Sequence, residues 1–163
     1  MMQCKTVFGL TLATLGSISG SASAANTEMR CRLYMSSSTQ ALAQHSSASG
    51  GVQLNAIRRG GVCLFEDGRV ADKQFVMAQR IVDDGADGLM SGYSVYTFEN
   101  GDALTMKFDG RWNSEGLSGD YVVMYGTGEW EGVNGTGGFV GVQSPWPGTD
   151  IIDVTFNVTL SES

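Results

Sequence analysis

Few side chains of this chain have the types and spacing that catalysis or metal binding requires. The single histidine, His45, lies in a Ser-rich segment, and no G-x-S-x-G motif supplies a nucleophilic serine for it. One histidine and two cysteines that we expect to be oxidised do not make any of the usual zinc ligand sets. Three aspartates lie within residues 83–87, but Gly85 stands where an EF-hand loop needs its third-position ligand. The sequence therefore predicts no metal site, and it leaves open whether the protein is an enzyme.

The glycines of residues 126–137 do not have the spacing of a nucleotide site. Gly126, Gly128 and Gly132 read G-x-G-x-x-x-G rather than the dinucleotide fingerprint, and neither a helical pattern nor a Walker lysine accompanies them. We predict no cofactor and interpret these glycines as backbone turns.

Two carboxylates, Glu129 and Glu131, flank Trp130. If Trp130 points inward, both acids point outward, because neighbouring residues of a strand alternate faces. If a bulge inverts that order, one carboxylate enters the interior, where burial raises its pKa and suits it to act as a general base. The sequence leaves both arrangements open.

The aromatic residues are the better indication of a ligand. Six candidates for the wall of a pocket are Tyr93, Tyr96, Trp112, Tyr125, Trp130 and Trp146. The alternative for each of them is ordinary core packing. Two flanking prolines keep Trp146 out of a strand ladder. This predicts a rigid loop that brings Trp146 to the mouth of the fold or to a contact between copies.

Short runs with period-two hydrophobicity, cut by turn signals, predict an all-β domain. Strands are predicted at 29–35, 75–82, 93–98, 104–108, 121–125 and 152–160. Chain reversals are predicted where Asp-Gly, Asn-Gly or Glu-Gly occurs, at 66–68, 83–85, 86–88, 99–101, 109–110 and 115–116. Seven or eight strands with short connections and no long amphipathic helix indicate a sandwich or a closed barrel.

The segment 36–61 differs from the rest of the chain. It is rich in Ser, Gly, Ala and Gln and has no clear strand period. We predict a long loop here, with at most one helical turn at 41–45.

The first 24 residues have the form of a secretory signal. Lys5 precedes a short apolar run at 7–15, and Ala22-Ser23-Ala24 fits the small-x-small cleavage rule. The run is too short to span a membrane, which needs roughly 20 apolar residues. We therefore predict a signal peptide at 1–24, a single domain at 25–163, and a secreted or periplasmic location.

Charge and cysteine content narrow the partners of the predicted domain. Without Lys5 the domain keeps nine basic residues against 17 acidic ones, a net charge near −8. Such a charge disfavours nucleic acid and anionic membranes as partners. Cys31 and Cys63 remain, and an oxidising compartment favours their pairing. Two buried free thiols are the alternative.

Two stretches of the sequence carry a family resemblance. Residues 125–137 read YGTGEWEGVNGTG, and 94–102 read SVYTFENGD. Together with the closing NVTL at 157–160, they resemble the backbone motifs of the allene oxide cyclase-like and dirigent-like barrels, and the export signal is typical of a bacterial member. The resemblance covers roughly residues 88–160. It implies an antiparallel eight-stranded β-barrel, often with an apolar central cavity. Some members of the family are cyclases of oxylipins or polyketides, some direct radical coupling, and many bacterial members have no assigned activity.

Three functions are compatible with such a barrel. The first is a secreted or periplasmic protein that binds a small apolar molecule and has no catalytic group. The second is a cyclase or isomerase of a lipid-like or polyketide-like substrate, which needs an ionisable side chain inside the cavity. The third is a structural module with a filled barrel that forms homo-oligomers.

Overall fold

The computed structural model describes residues 25–36, 38–46, 52–82, 87–143 and 149–160. Within these ranges the chain forms nine β-strands and one 3-10 helix. The strands are β1 (Ala25–Ser36), β2 (Gln40–Ser46), β3 (Val52–Phe65), β4 (Val70–Val82), β5 (Asp87–Phe98), β6 (Ala103–Asn113), β7 (Gly116–Gly126), β8 (Asn134–Gln143) and β9 (Thr149–Leu160). The 3-10 helix, Gly128–Trp130, lies between β7 and β8.

Eight of these strands close into an antiparallel barrel. Each strand from β3 to β9 pairs with the next along the chain. β1 pairs with β9 along its whole length, and its residues 31–35 also pair with 61–65 of β3. β2 lies outside the barrel and pairs with the first half of β3. The predicted eight-stranded barrel is therefore confirmed, with one additional strand.

The predicted loop at 36–61 is wrong. This segment contains β2 and the first ten residues of β3, so the suggested helical turn at 41–45 is extended strand. Every residue of β2 is exposed, which removes the contrast between faces that a period-two pattern needs. β2 forms through backbone pairing with β3 rather than through a buried face. His45 is accordingly an exposed strand residue.

The turn predictions have mixed outcomes. Gly68, Gly101 and Gly116 have φ values of 90°, 89° and 140°, and the chain reverses at each of them as predicted. The predicted reversal at 109–110 is wrong, because both residues lie inside β6. A Cβ at Gly110 would lie 2.8 Å from the Phe139 ring. The glycine is therefore needed here to make room for that ring, and it does not mark a turn. Residues 83–86 lie outside the described ranges, and 87–88 begin β5.

The disulfide predicted between Cys31 and Cys63 is present. Their Cα atoms are 5.7 Å apart, and both residues are buried. The bridge joins β1 to β3, where only the short ladder of 31–35 with 61–65 closes the barrel. A covalent bond therefore reinforces the seam of the barrel.

One end of the barrel, which we call the closed end, is plugged by aromatic side chains. Trp130 from the 3-10 helix is buried and stacks on Phe98, with ring centroids 5.2 Å apart. Phe65 also packs against Phe98, with ring centroids 5.4 Å apart. The Arg69 guanidinium lies 4.9 Å from the Trp130 ring and about as close to both phenylalanines. This plug separates the interior from solvent at the closed end.

The two stretches with the family resemblance meet at this end. The Asp102 carboxylate accepts hydrogen bonds from the backbone N–H of Glu129 at 3.1 Å and from the Asn100 side chain at 2.8 Å. The backbone N–H of Ala103 donates to the Thr127 hydroxyl at 2.9 Å. Gly128 has φ 60°, and a Cβ there would overlap the Asp102 carboxylate. The two motifs therefore hold the 3-10 helix, and with it the plug, against the β5–β6 turn.

Candidate functional site

The barrel interior contains a buried lysine that sequence reasoning did not select. Lys73 of β4 is 3% exposed, and it shares the inward face of the strand with Ala71, Phe75 and Met77. Its Nζ lies 2.6 Å from the hydroxyl of Tyr121 on β7. The hydroxyl of Tyr96 on β5 also donates to the Tyr121 oxygen, at 3.3 Å. Three polar groups from three strands thus meet inside an otherwise apolar core.

Burial shifts the protonation of Lys73 towards its neutral form. Four rings surround Nζ with centroids 5.0–5.8 Å away, those of Phe75, Tyr96, Phe108 and Tyr121. Among the described residues, Lys73 forms no ion pair with a carboxylate. Burial therefore lowers the pKa of Lys73 to about 7. Burial also raises the pKa of Tyr121 and of Tyr96, so both phenols stay protonated.

The opposite end of the barrel, which we call the open end, leads towards this lysine. A pocket of about 360 Å³ lies at its mouth, and a smaller cavity of about 50 Å³ continues inward to Lys73 and Tyr121. The two volumes adjoin, because both are lined by Met77, Met90, Leu117, Arg59 and Asp150. A molecule seated in the mouth could therefore extend one end towards the lysine.

An ion pair lies where the mouth meets the inner cavity. Arg59 donates from Nη2 to Asp150 Oδ2 at 3.1 Å and to the backbone oxygen of Ser36 at 2.7 Å. The Arg59 side chain is 17% exposed and that of Asp150 is 36% exposed. The pair ties β1, β3 and β9 together and adds charged groups to a wall that combines apolar and polar side chains.

The comparisons with known proteins bear on the fold. Neither a known family profile nor a curated protein sequence matches the chain. Among solved structures, the chain is similar to the pterocarpan synthase dirigent protein GePTS1, with a TM-score of 0.59 and 12% identity. The match covers 96% of this chain and 100% of that one. The fold is dirigent-like. At this level of identity the similarity extends to the barrel and not to an activity.

Two of the six aromatic candidates lie on the wall of this dirigent-like barrel near the site. Tyr96 is fully buried beside Lys73, and Trp112 is half-buried at the mouth, where its ring covers Gly88. Trp130 is buried as well, but it forms part of the plug at the closed end. Trp146 lies outside the described residues.

Tyr93 and Tyr125 do not line the interior, because they are 55% and 62% exposed on the outer face. Tyr93 lies three positions before the inward Tyr96, an odd number, so it is on the opposite face of the strand. Simple alternation from the buried Tyr121 would place Tyr125 on the inward face as well. A bulge in β7 adds Met124 opposite the 105–106 step of β6 and turns Tyr125 outward.

The arrangement around Trp130 agrees with one of the two sequence alternatives. Trp130 points inward, and both Glu129 and Glu131 are exposed. Neither carboxylate reaches the interior, so neither is a candidate for a buried general base.

Lys73 could have been found from the sequence by its register. Phe75 and Met77 predict which face of β4 is buried, and residue 73 shares that face. This signal was missed because two adjacent charged residues, Asp72 and Lys73, are typical of the solvent-exposed beginning of a strand.

Within the described ranges, no group of three or more His, Cys, Asp or Glu side chains is arranged to hold a metal ion. The same residues include no helix that is long and apolar enough to cross a membrane.

Proposed function

We propose that this protein is a secreted or periplasmic barrel that binds a small apolar molecule through its open end. The observation that carries the proposal is the pocket at the mouth, which continues inward to the Lys73–Tyr121 pair. The ligand's apolar part would contact Met77, Met90 and Leu117. Its polar end would face the amine and the phenol.

The size and lining of the pocket support a small ligand. Pockets for small molecules usually run from roughly 300 to 1,000 Å³ and combine apolar walls with a few polar groups. The mouth, at about 360 Å³, falls in that range. The inner cavity of about 50 Å³ has room for a polar head group but not for a whole ligand. Methionines adapt to ligands of different shape, which suits a pocket wall.

The proposed location rests on the leader-like residues 1–24 and on the disulfide. Disulfides persist in oxidising compartments, so the Cys31–Cys63 bridge supports export. The similar solved structure is that of a pterocarpan synthase dirigent protein, and this is compatible with substrate-sized ligands in such barrels.

The test of binding uses the neutral fluorophore 1-aminoanthracene. We expect a saturable rise in its fluorescence with the wild-type protein. Met90→Lys puts a charge into the mouth and should raise the dissociation constant at least about tenfold, which corresponds to about 1.4 kcal/mol. Leu89→Lys is the matched control, because Leu89 is the preceding residue of β5 and faces outward. Circular dichroism checks that both variants keep the β-fold, and Leu117→Lys replaces Met90→Lys if that variant does not fold.

No saturable signal from the wild type would overturn the binding proposal and leave the structural, oligomer-forming module as the remaining function. Equal losses in the Met90 and Leu89 variants would move the binding site from the mouth to the outer surface.

A cyclase or isomerase is the second candidate, and Lys73 is the observation that favours it. A neutral amine near pH 7 beside a protonated phenol can remove and return a proton while the barrel holds the substrate in a reactive conformation. Native mass spectrometry and chromatography of protein purified from its own host test this. If Lys73→Met retains an isomer of the compound held by wild type, the protein is an isomerase. Retention of the same compound by both proteins supports binding without catalysis.

A further inference from the structure

We propose that Lys73 captures an apolar aldehyde or ketone as a Schiff base inside the barrel. The inference rests on the proposed binding function and names the ligand class for the same site. It concerns a covalent step that non-covalent binding does not require, so the two can fail separately.

The geometry presents the Lys73 amine as a nucleophile. Nζ lies in the inner cavity, and its one hydrogen-bond partner among the described residues is the Tyr121 hydroxyl. An ammonium group in this position would be held by a carboxylate in most proteins, since buried charges are generally paired. Here aromatic rings occupy the space around it. The lowered pKa of Lys73 leaves a substantial fraction of the amine unprotonated near neutral pH.

The reaction needs no redox partner. The Nζ lone pair attacks the carbonyl carbon, a C–N bond forms, and the carbonyl oxygen takes a proton to give a carbinolamine. Loss of that oxygen as water, carrying both protons that left the amine, forms the C=N bond. One carbonyl compound and one amine thus become one imine and one water.

The neighbouring groups are suited to this step. The Tyr121 hydroxyl, kept protonated by burial, can donate a hydrogen bond to the carbonyl oxygen and to the departing hydroxyl. Tyr96 donates to Tyr121 and orients it. The charged groups that face the cavity from other strands are Arg59 of β3 and Asp150 of β9, and they are paired with each other.

The space at the site fits a carbonyl head group with an apolar tail. The inner cavity accepts the carbonyl group, and the mouth accepts a chain or ring. A ligand with a carboxylate in place of the carbonyl would gain an ion pair but could not form the bond.

The sequence contains an internal control for selectivity. Beyond residue 24 the chain has two lysines, Lys73 and Lys107. Lys107 is exposed, and its contact with Asp109 at 3.0 Å raises its pKa. A generic aldehyde reaction would modify the exposed lysine, whereas the proposal requires modification of the buried one.

The experiment treats the protein at pH 8 with 3-phenylpropanal and sodium cyanoborohydride, followed by peptide mapping. We expect one reduced adduct at Lys73, at least about tenfold more abundant than at Lys107, because a much larger fraction of Lys73 is neutral. Lys107→Arg should react like wild type. Lys73→Arg should form no adduct in the barrel, and Tyr121→Phe should form it several-fold more slowly.

The matching alcohol, 3-phenylpropan-1-ol, separates the two proposals. Displacement of 1-aminoanthracene by the alcohol, without an aldehyde adduct at Lys73, would overturn the Schiff base and leave the binding function intact. If Lys73→Arg does not fold, the pH profile of the wild type decides. Adduct formation at Lys73 should rise with a midpoint near pH 7, and a midpoint close to the ordinary lysine value would overturn the proposal.

Discussion

The two ends of the barrel are lined by different kinds of side chain. The closed end is filled by the rings of Phe65, Phe98 and Trp130, with the Arg69 guanidinium over all three. The open end is lined by Met77, Met90 and Leu117 together with polar side chains, and it keeps a pocket of about 360 Å³. Rings in mutual contact and backbone hydrogen bonds hold the closed end together. The difference teaches that the packed, stabilising part of the barrel and the proposed binding pocket lie at opposite ends of a single axis.

Between the two ends, the burial of Lys73 lowers the stability of the folded protein. Lys73 lies at the depth where the apolar core gives way to the cavity, and its burial disfavours the charged form. The barrel stays folded despite this loss of stability when the closed end stabilises it independently. The following predictions test this separation.

The largest expected effect is the loss of the plug. Trp130→Ala removes a buried ring and its contacts with Phe98 and Arg69, and should lower the free energy of unfolding by about 3–5 kcal/mol. Trp112→Ala at the open end should cost less, because Trp112 is only half-buried. It should instead weaken binding of 1-aminoanthracene. Urea unfolding and fluorescence titration measure the two effects, and equal losses of stability would contradict the separation.

The disulfide is the next largest effect. The double variant Cys31→Ala/Cys63→Ala opens the link across the β1–β3 seam and should cost roughly 3–4 kcal/mol, since 32 residues separate the cysteines. Cys31 is paired with Phe65 in the β1–β3 ladder, and Phe65 belongs to the plug, so the bridge lies nearer the closed end. The dissociation constant at the open end should therefore change by less than about twofold under conditions where the variant is folded. A large loss of affinity would mean that the seam also shapes the mouth.

The third effect is the dependence of stability on pH. The pKa of Lys73 is about 7 in the folded protein and near 10.5 in the unfolded chain, so the unfolded chain binds more protons between these values. Stability should therefore rise with pH, on the order of 3 kcal/mol between about pH 7 and pH 9.5. The two buried tyrosines oppose this rise only slightly, because they begin to ionise in the unfolded chain only as the pH approaches 10.

Lys73→Met keeps a similar volume without a charge, so it should be more stable than wild type at pH 7 and lose this rise. Lys107→Met is the exposed control and should keep the wild-type profile. A flat profile in the wild type would show that water or an unseen partner keeps Lys73 charged.

The smallest effect concerns the cation at the closed end. Arg69→Met keeps the apolar stem but loses the contacts with the rings, at a cost of about 1 kcal/mol. Arg69 also lowers the pKa of Asp67 through a hydrogen bond, so the variant should return that pKa towards its ordinary value. Denaturant unfolding and NMR titration of Asp67 check both. A cost as large as that of Trp130→Ala would make the guanidinium, and not the rings, the main element of the plug.

Much of the barrel could be predicted from the sequence because its signals are local. Alternating residues such as Leu104, Met106 and Phe108 define strands, and Gly68 and Gly101 define turns through their positive φ. The pairing of Cys31 with Cys63 followed from their number and from the predicted compartment. The segment 36–61 could not be predicted in this way, because β2 has no buried face and depends on a partner strand.

The candidate site was mostly beyond prediction from the sequence. Tyr96 and Trp112 were selected for their aromatic character, but the same criterion selected Tyr93 and Tyr125, which face solvent. A single added residue, Met124, reversed the face of Tyr125, and no residue type announces such a bulge. Lys73 was passed over because a lysine in a strand is usually solvated.

The sequence by itself determined most of the strands and turns and favoured the cysteine pair, because each depends on residues near one another in the chain or on composition. The tertiary structure alone decided which faces became the interior and what surrounds Lys73. Its amine meets Tyr96 and Tyr121, which lie 23 and 48 positions away along the chain. Tyr96 faces Lys73 across the β4–β5 pair, but Tyr121 reaches it only when the inward faces of β4 and β7 are brought together across the closed barrel. The pKa of a side chain depends on that assembled environment and not on its neighbours in sequence.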